Sequence, residues 1–415
     1  MTATYKFTLT IICLIVSFLL VQTSYSATYY WDTNNSTAGF GNAGGTWSAP
    51  TTNNATQGWS TSAAGTTVMS GSVTTASTNA TTDLLYFGTN TAGLGAGTIT
   101  VSGNVSAGRL YFGSASGAIT LNGGNITLAN SSLISNPTGG GTQSATHTIG
   151  SNITVAGGGL QFGAQSTANE RYIINGRLSG GFSLDNRVQN NTGYTELNNS
   201  GNSFTGNISI ITGDLRVASV SNAGVNSAMG AGSSISQMGG GAGQSPAFVY
   251  TGVVAGSTNR TITTALTGTA KIISQEAALT LTGNISGGNL YAGTLGLSGD
   301  AGGGSNFNEV SGRISGVINV QVNSQTPASG TGELGVWKLS GNNTYSGVTQ
   351  VQNSSTLILG HANALGFGGV QRAGTGNTTV DAGSTLNLNG VSGINEAIVL
   401  NGSGTGGAGV LINNS

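Results

Sequence analysis

A chain of 415 residues with only 11 Lys and Arg and 12 Asp and Glu is 6% charged, where an ordinary soluble domain carries about 25%. Its net charge of −1 excludes a protein that holds nucleic acid by neutralising phosphates, because that affinity is built from clustered Lys and Arg. So sparse a charge also excludes a disordered chain kept open by self-repulsion.

In chain order, the first element is an export signal over residues 1–26. Lys6 precedes an apolar run from Phe7 to Val21, and the small residues Ser24, Ser26 and Ala27 follow, the pattern a signal peptidase requires. The only cysteine, Cys13, lies inside this leader. The processed chain is therefore expected to hold together without disulfides, by packing and backbone hydrogen bonds. Residues 27–96 follow as a cap and first strands containing Trp31, Trp47 and Trp59. These rings are expected to close the open end of a repeat array, with stacking on sugar faces as the alternative.

From residue 97 to 415 short alternating runs recur, bounded by Gly, Asn or Ser: Thr98 to Ser102, Ala118 to Asn122, Asn125 to Leu128, Ile153 to Ala156, Leu279 to Thr282, Thr356 to Leu359 and Thr385 to Leu388. Period-two alternation predicts strands, and no capped helical stretch interrupts them. Leu85-Tyr86-Phe87-Gly88 returns 25 residues later as Leu110-Tyr111-Phe112-Gly113 and again as Leu160-Gln161-Phe162-Gly163. A second repeat appears as Gly176-Arg177-Leu178-Ser179-Gly180, Gly283-Asn284-Ile285-Ser286-Gly287 and Gly312-Arg313-Ile314-Ser315-Gly316. Recurrence at such intervals predicts units that bury their apolar faces only by stacking. The expected fold is all-β, a right-handed parallel β-helix, that is, a solenoid.

That geometry explains the composition. Equivalent residues of successive coils lie about 4.8 Å apart, where like charges repel by roughly 0.9 kcal/mol even in water. Asn, Ser and Thr instead hydrogen-bond along the column, and Gly turns the chain between faces.

The second half carries a recognisable motif. Leu339-Ser340-Gly341-Asn342-Asn343-Thr344-Tyr345-Ser346-Gly347-Val348-Thr349, then Thr356-Leu357-Ile358-Leu359 and Ala364-Leu365-Gly366, closely resembles the autotransporter-associated β-strand repeat. A decayed copy runs from Leu197 through Asn202-Ser203-Phe204-Thr205-Gly206 to Leu215-Arg216-Val217. The head, Trp31-Asp32 with Gly39-Phe40-Gly41 and Gly44-Gly45-Thr46-Trp47, is similar to the opening of proteins with that repeat. Gln350 and Asn353-Ser354-Ser355 depart from the pattern, standing in place of its usual Thr and Ala-Gly. The resemblance implies a passenger-type β-helix, exported and displayed on or released from a bacterial surface, with no catalytic residues and no cofactor. No girdled barrel of membrane strands is visible, and the strand-like end at Leu411 to Ser415 predicts continuation of the chain.

Three acid pairs fall about one coil apart: Glu170 with Glu196, Glu276 with Asp300 and Glu309 with Glu333. Stacked carboxylates can bind Ca²⁺ or serve as acid and base on a glycoside; otherwise each Glu is an exposed turn residue. Gly139-Gly140-Gly141, Gly157-Gly158-Gly159 and Gly302-Gly303-Gly304 lack the Lys-Ser/Thr and helix of a phosphate cradle and read as turns. His147 and His361 have no ligand-spaced companion. The expected function is therefore a non-catalytic secreted or cell-surface protein with a structural or adhesive role. Its expected partners are surface glycans, host or neighbouring cells, other copies of itself, or an outer-membrane translocator, and not nucleic acid. A carbohydrate-active β-helix and a stalk for a further C-terminal domain stand as alternatives.

Overall fold

The computed structural model describes residues 27–48, 58–67, 83–129, 131–137, 141–143, 145–164, 169–189, 193–240, 243–264, 267–288, 293–299, 306–323, 335–367 and 378–414. The expected leader, residues 1–26, lies outside them, as do Asp300 and Glu333.

Short strands alternate with polar corners, and among the described residues each strand but one pairs in parallel with the strand one coil away. Leu84–Phe87 lies on Arg109–Phe112 with Leu85 over Leu110 and Phe87 over Phe112, as the 25-residue repeat predicts. Stacking gives one sheet of 13 strands and another of 14, running side by side along the molecule. A third face holds four strands, Asn104–Ala107, Asn125–Leu128, Asn152–Val155 and Leu178–Ser179. Farther along, seven more run from Gly256–Thr258 to Leu411–Ile412. The chain is a parallel β-solenoid, and the single helical feature among the described residues is a 3₁₀ turn at Thr405–Gly407.

Alternation within each strand turns one side chain inward and the next outward, and stacking converts this into interior columns. Ile99, Leu121, Ile149, Ile174, Leu197 and Val217 follow one another in register down the 14-stranded sheet, and all are fully buried. Burying a side chain of this size stabilises by roughly 1.5–3 kcal/mol, and only neighbouring coils supply the cover. Aromatic rings stack along the same axis. Phe87 to Phe112 and Phe112 to His147 inside are 5.1 and 4.5 Å apart; Tyr30 to Tyr86 and Tyr86 to Tyr111 outside are 5.0 and 4.6 Å apart.

Both sequence repeats are displaced from simple superposition. Ile134 faces Leu110 on one side and Phe162 on the other, so the third Leu-x-Phe-Gly lies two coils on but slipped by two residues. Ile285 and Ile314 stack within the 13-stranded sheet, whereas Leu178 of the first Gly-x-Leu-Ser-Gly belongs to the four-stranded one.

The exception to parallel pairing is at the start. Trp59–Ser60 runs antiparallel along the outer edge of Thr28–Trp31, placing Trp59 opposite Trp31. Trp59 meets Trp31 and Trp47 edge to face at 4.9 and 5.7 Å, and all three rings are buried over the first coil. Their faces are therefore closed to sugars.

Candidate functional site

The repeat motif is built around a buried asparagine. Asn343 is fully buried between the short strand Thr344–Tyr345 and the end of Val336–Leu339. Its Oδ1 accepts the Ile314 N–H from one coil at 2.8 Å, and its Nδ2 donates to the Ala364 carbonyl of the other at 2.7 Å. Leu339 packs in register between Val310 and Leu359, and the Ser340 hydroxyl donates to Glu309 Oε1. Gly341 and Gly347 lie where a Cβ would run into the backbone carbonyls of Gly312 and Ile318 in the preceding coil. Tyr345 fills the interior, and its hydroxyl lies 2.6 Å from that of Thr349. The return strand opens at Thr356, whose N–H reaches Gly335 O at 2.8 Å, and brings Leu357 and Leu359 inward. Ala364 and Leu365 close the core. Gly366 then turns with φ +79°, beneath Tyr345 O, which would stand 2.5 Å from any Cβ there. The motif residues are thus a packing unit.

The decayed copy uses the same bonds. Asn202 Oδ1 accepts the Leu178 N–H at 2.8 Å and its Nδ2 donates to Ala228 O at 3.0 Å. Gly230, at φ +69°, sits under Phe204 O as Gly366 sits under Tyr345 O. The two copies are rotated by one face of the coil: the strand after Gly206 joins the 13-stranded sheet, and the strand after Gly347 joins the 14-stranded one.

Outside, neutral ladders run along the axis. Asn125 Nδ2 donates to Asn104 Oδ1 at 2.8 Å, and Asn152 Nδ2 to Asn125 Oδ1 at 3.0 Å. Thr154 and Ser179 hydroxyls meet at 2.9 Å. On other corners Asn198 donates to Asn175 at 3.0 Å and Asn363 to Asn342 at 2.8 Å.

Of the three acid pairs, the one that lies wholly among the described residues, Glu170 with Glu196, does not come together as a carboxylate cleft. Glu170 is not an exposed turn residue: it is fully buried and accepts the N–H of Asn136 at 2.7 Å, the N–H of Ala164 at 3.1 Å and the Tyr172 hydroxyl at 3.3 Å. Burial lifts its carboxyl to about 7 against the pull of these donors. Glu196 lies elsewhere, beside Arg216 on the outer side of the 14-stranded sheet. Glu309 stands beside Lys338 and is bonded to Ser340. The Asp300 and Glu333 partners lie outside the described residues. Among the described residues no three His, Cys, Asp or Glu come together as a metal group.

Two buried cations escaped sequence reasoning. Arg260, 2% exposed, donates to the carbonyls of Ser221, Met229 and Gly230 at 3.2, 3.0 and 2.7 Å. It ties the insertion after Val217 to the next coil, and burial lowers its guanidinium to about 10. Arg216 pairs with Asp214 at 3.2 Å and covers the Tyr194 ring at 3.9 Å. A single Arg among Asn and Thr gives no periodic signal from which either role can be read. His147 is likewise buried beneath Phe112, and burial lowers its imidazole to about 3.

The chain matches no known family, no curated protein and no solved structure. What the fold and the site geometry define is a β-solenoid whose recurring polar residues serve axial stacking.

Proposed function

We propose that this protein is a non-catalytic, exported surface protein of the autotransporter-passenger kind, with a structural or adhesive role. The observation that carries this reading is the set of outward Asn and Thr ladders repeated coil after coil on a rigid solenoid. A repeated polar face lets many weak contacts add through multivalency. The proposed partners are surface glycans, neighbouring or host cells, or further copies of the chain. Resemblance of Leu339 to Gly366 to the autotransporter-associated repeat supports export through an outer-membrane translocator. The dispersal of Glu170, Glu196 and Glu309 into a core, an outer face and a serine contact supports a role without bond cleavage.

The test is a pair of assays on purified protein. Retention on cells, glycan arrays or immobilised copies of the protein, with no release of reducing ends from pectin, alginate or other polysaccharides, is the expected result. Turnover of any of these glycans overturns the reading.

A further inference from the structure

The outer face of the 13-stranded sheet begins with a column of tyrosines. Tyr30, Tyr86 and Tyr111 follow one another in register on parallel strands. Tyr86 and Tyr111 stack with ring centroids 4.6 Å apart and planes 28° from parallel, while Tyr30 and Tyr86 are 5.0 Å apart and tilted by 36°. Arg109 Nη1 donates to the Tyr111 hydroxyl at 3.3 Å and steadies that ring. Tyr30 and Tyr86 are half-buried, and Tyr111 is buried. On the same two strands the inner pair, Phe87 with Phe112, stacks in the same manner. What the outer pair adds is a phenol on each ring. A phenol can give up an electron together with its proton, leaving a radical whose unpaired electron is shared by the oxygen and the two Cε atoms.

We propose that Tyr86 and Tyr111 form an oxidative cross-linking site, at which hydrogen peroxide and a haem peroxidase join them as dityrosine. One Cε atom of each ring forms the new carbon–carbon bond, and each ring loses one hydrogen. The two electrons and two protons pass to one hydrogen peroxide, which leaves as two waters. Burial pushes the Tyr86 phenol up to about 12, so it enters as the neutral phenol and sheds its proton with the electron. Radical coupling needs both rings held together, and parallel pairing supplies this, because it sets equivalent side chains only about 4.8 Å apart. The closer and flatter contact makes Tyr111, rather than Tyr30, the partner of Tyr86. The link binds Leu84–Phe87 to Arg109–Phe112 and closes one coil covalently, as a disulfide closes a loop, in a chain whose single cysteine is Cys13. The site is independent of any adhesive role, since it needs no partner surface.

The experiment treats the dilute full chain with a catalytic amount of haem peroxidase and stoichiometric hydrogen peroxide, reads dityrosine fluorescence in the monomer band, and maps the link after trypsin. Arg109 separates the two residues, and Tyr111 is the only tyrosine between Leu110 and Arg171. A link at this site therefore joins two tryptic peptides, whereas a link between Tyr30 and Tyr86 stays within one. The expected result is the joined peptide from folded monomer, with a raised unfolding temperature. Tyr86→Phe and Tyr111→Phe keep a ring in the stack and abolish the joined peptide; Tyr30→Phe leaves it in place. No dityrosine in the monomer, cross-links only between chains, a joined peptide that survives Tyr86→Phe, or an equal yield from the chain unfolded in urea overturns the proposal.

Discussion

Asn202 and Asn343, 141 positions apart in the chain, make the same pair of axial hydrogen bonds, each accepting a backbone N–H from one neighbouring coil and donating to a carbonyl of the other. The match reaches the residues around them, since Phe204 and Tyr345 fill the core and Gly230 and Gly366 pass beneath their carbonyls. A buried backbone group left without its partner costs roughly 1–3 kcal/mol, so the asparagine is the residue the unit can least replace.

Asn343→Ala strands the Ile314 N–H and the Ala364 carbonyl together. The expected loss is about 2–4 kcal/mol, read as a lower urea midpoint with faster amide exchange around Ile314 and Ala364. Asn343→Asp keeps the acceptor but turns a buried carboxylate oxygen toward the Ala364 carbonyl in place of the donor, and at neutral pH is expected to cost at least as much as Asn343→Ala.

Glu170 and His147 give opposing pH dependences. With its carboxyl raised to about 7, folded Glu170 retains a proton that the unfolded chain releases near 4.5. That stabilisation is complete below the unfolded value, is lost as pH rises through about 7, and amounts to about 3 kcal/mol. His147, lowered to about 3, stays neutral in the fold while the unfolded imidazole protonates below 6.5, so its contribution falls as pH drops. The two slopes offset one another between about 4.5 and 6.5. Thermal unfolding across this range is therefore expected to show Glu170→Gln losing stability toward acid and His147→Phe gaining it, each relative to the unaltered chain.

Carboxylates in the outer ladder test why the chain has so few charges. Asn125→Asp removes the donor to Asn104 and is expected to cost at most about 1 kcal/mol at this exposed position. Adding Asn152→Asp places two negative charges one coil apart, and the pair is expected to cost about 1 kcal/mol more than the sum of the single changes. A double-mutant cycle in low and high salt measures that excess, which salt reduces.

Trp59→Ala opens the first coil. Loss of a buried Trp costs about 3–5 kcal/mol, and the edge of Thr28–Trp31 loses its antiparallel cover, leaving unpaired backbone free to join another chain. Limited proteolysis is expected to cut the N-terminal coils first, and light scattering to report self-association.

The strands and the coil spacing were legible because period-two alternation and the return of Leu85 and Phe87 as Leu110 and Phe112 are direct traces of stacking. The slip at Ile134 and the one-face rotation between Asn202 and Asn343 were not, because they depend on how much chain each corner takes up. Nor was the fate of the charges. Sequence distance placed Glu170 opposite Glu196, but coil lengths vary, and the register sets Ile173 beside Glu196 while Glu170 turns into the core.

Axial stacking is tested most directly by distances between spin labels on the outer positions of the 14-stranded sheet, attached to cysteines introduced after Cys13→Ser. Thr120, Glu196 and Gln352 lie in one outward column, with Glu196 three strands from Thr120 and Gln352 nine. At about 4.8 Å per strand, labels at Thr120 and Glu196 should lie about 14 Å apart and labels at Thr120 and Gln352 about 43 Å apart. Separations that do not grow with the number of intervening strands contradict the solenoid, and with it the display role proposed for its faces.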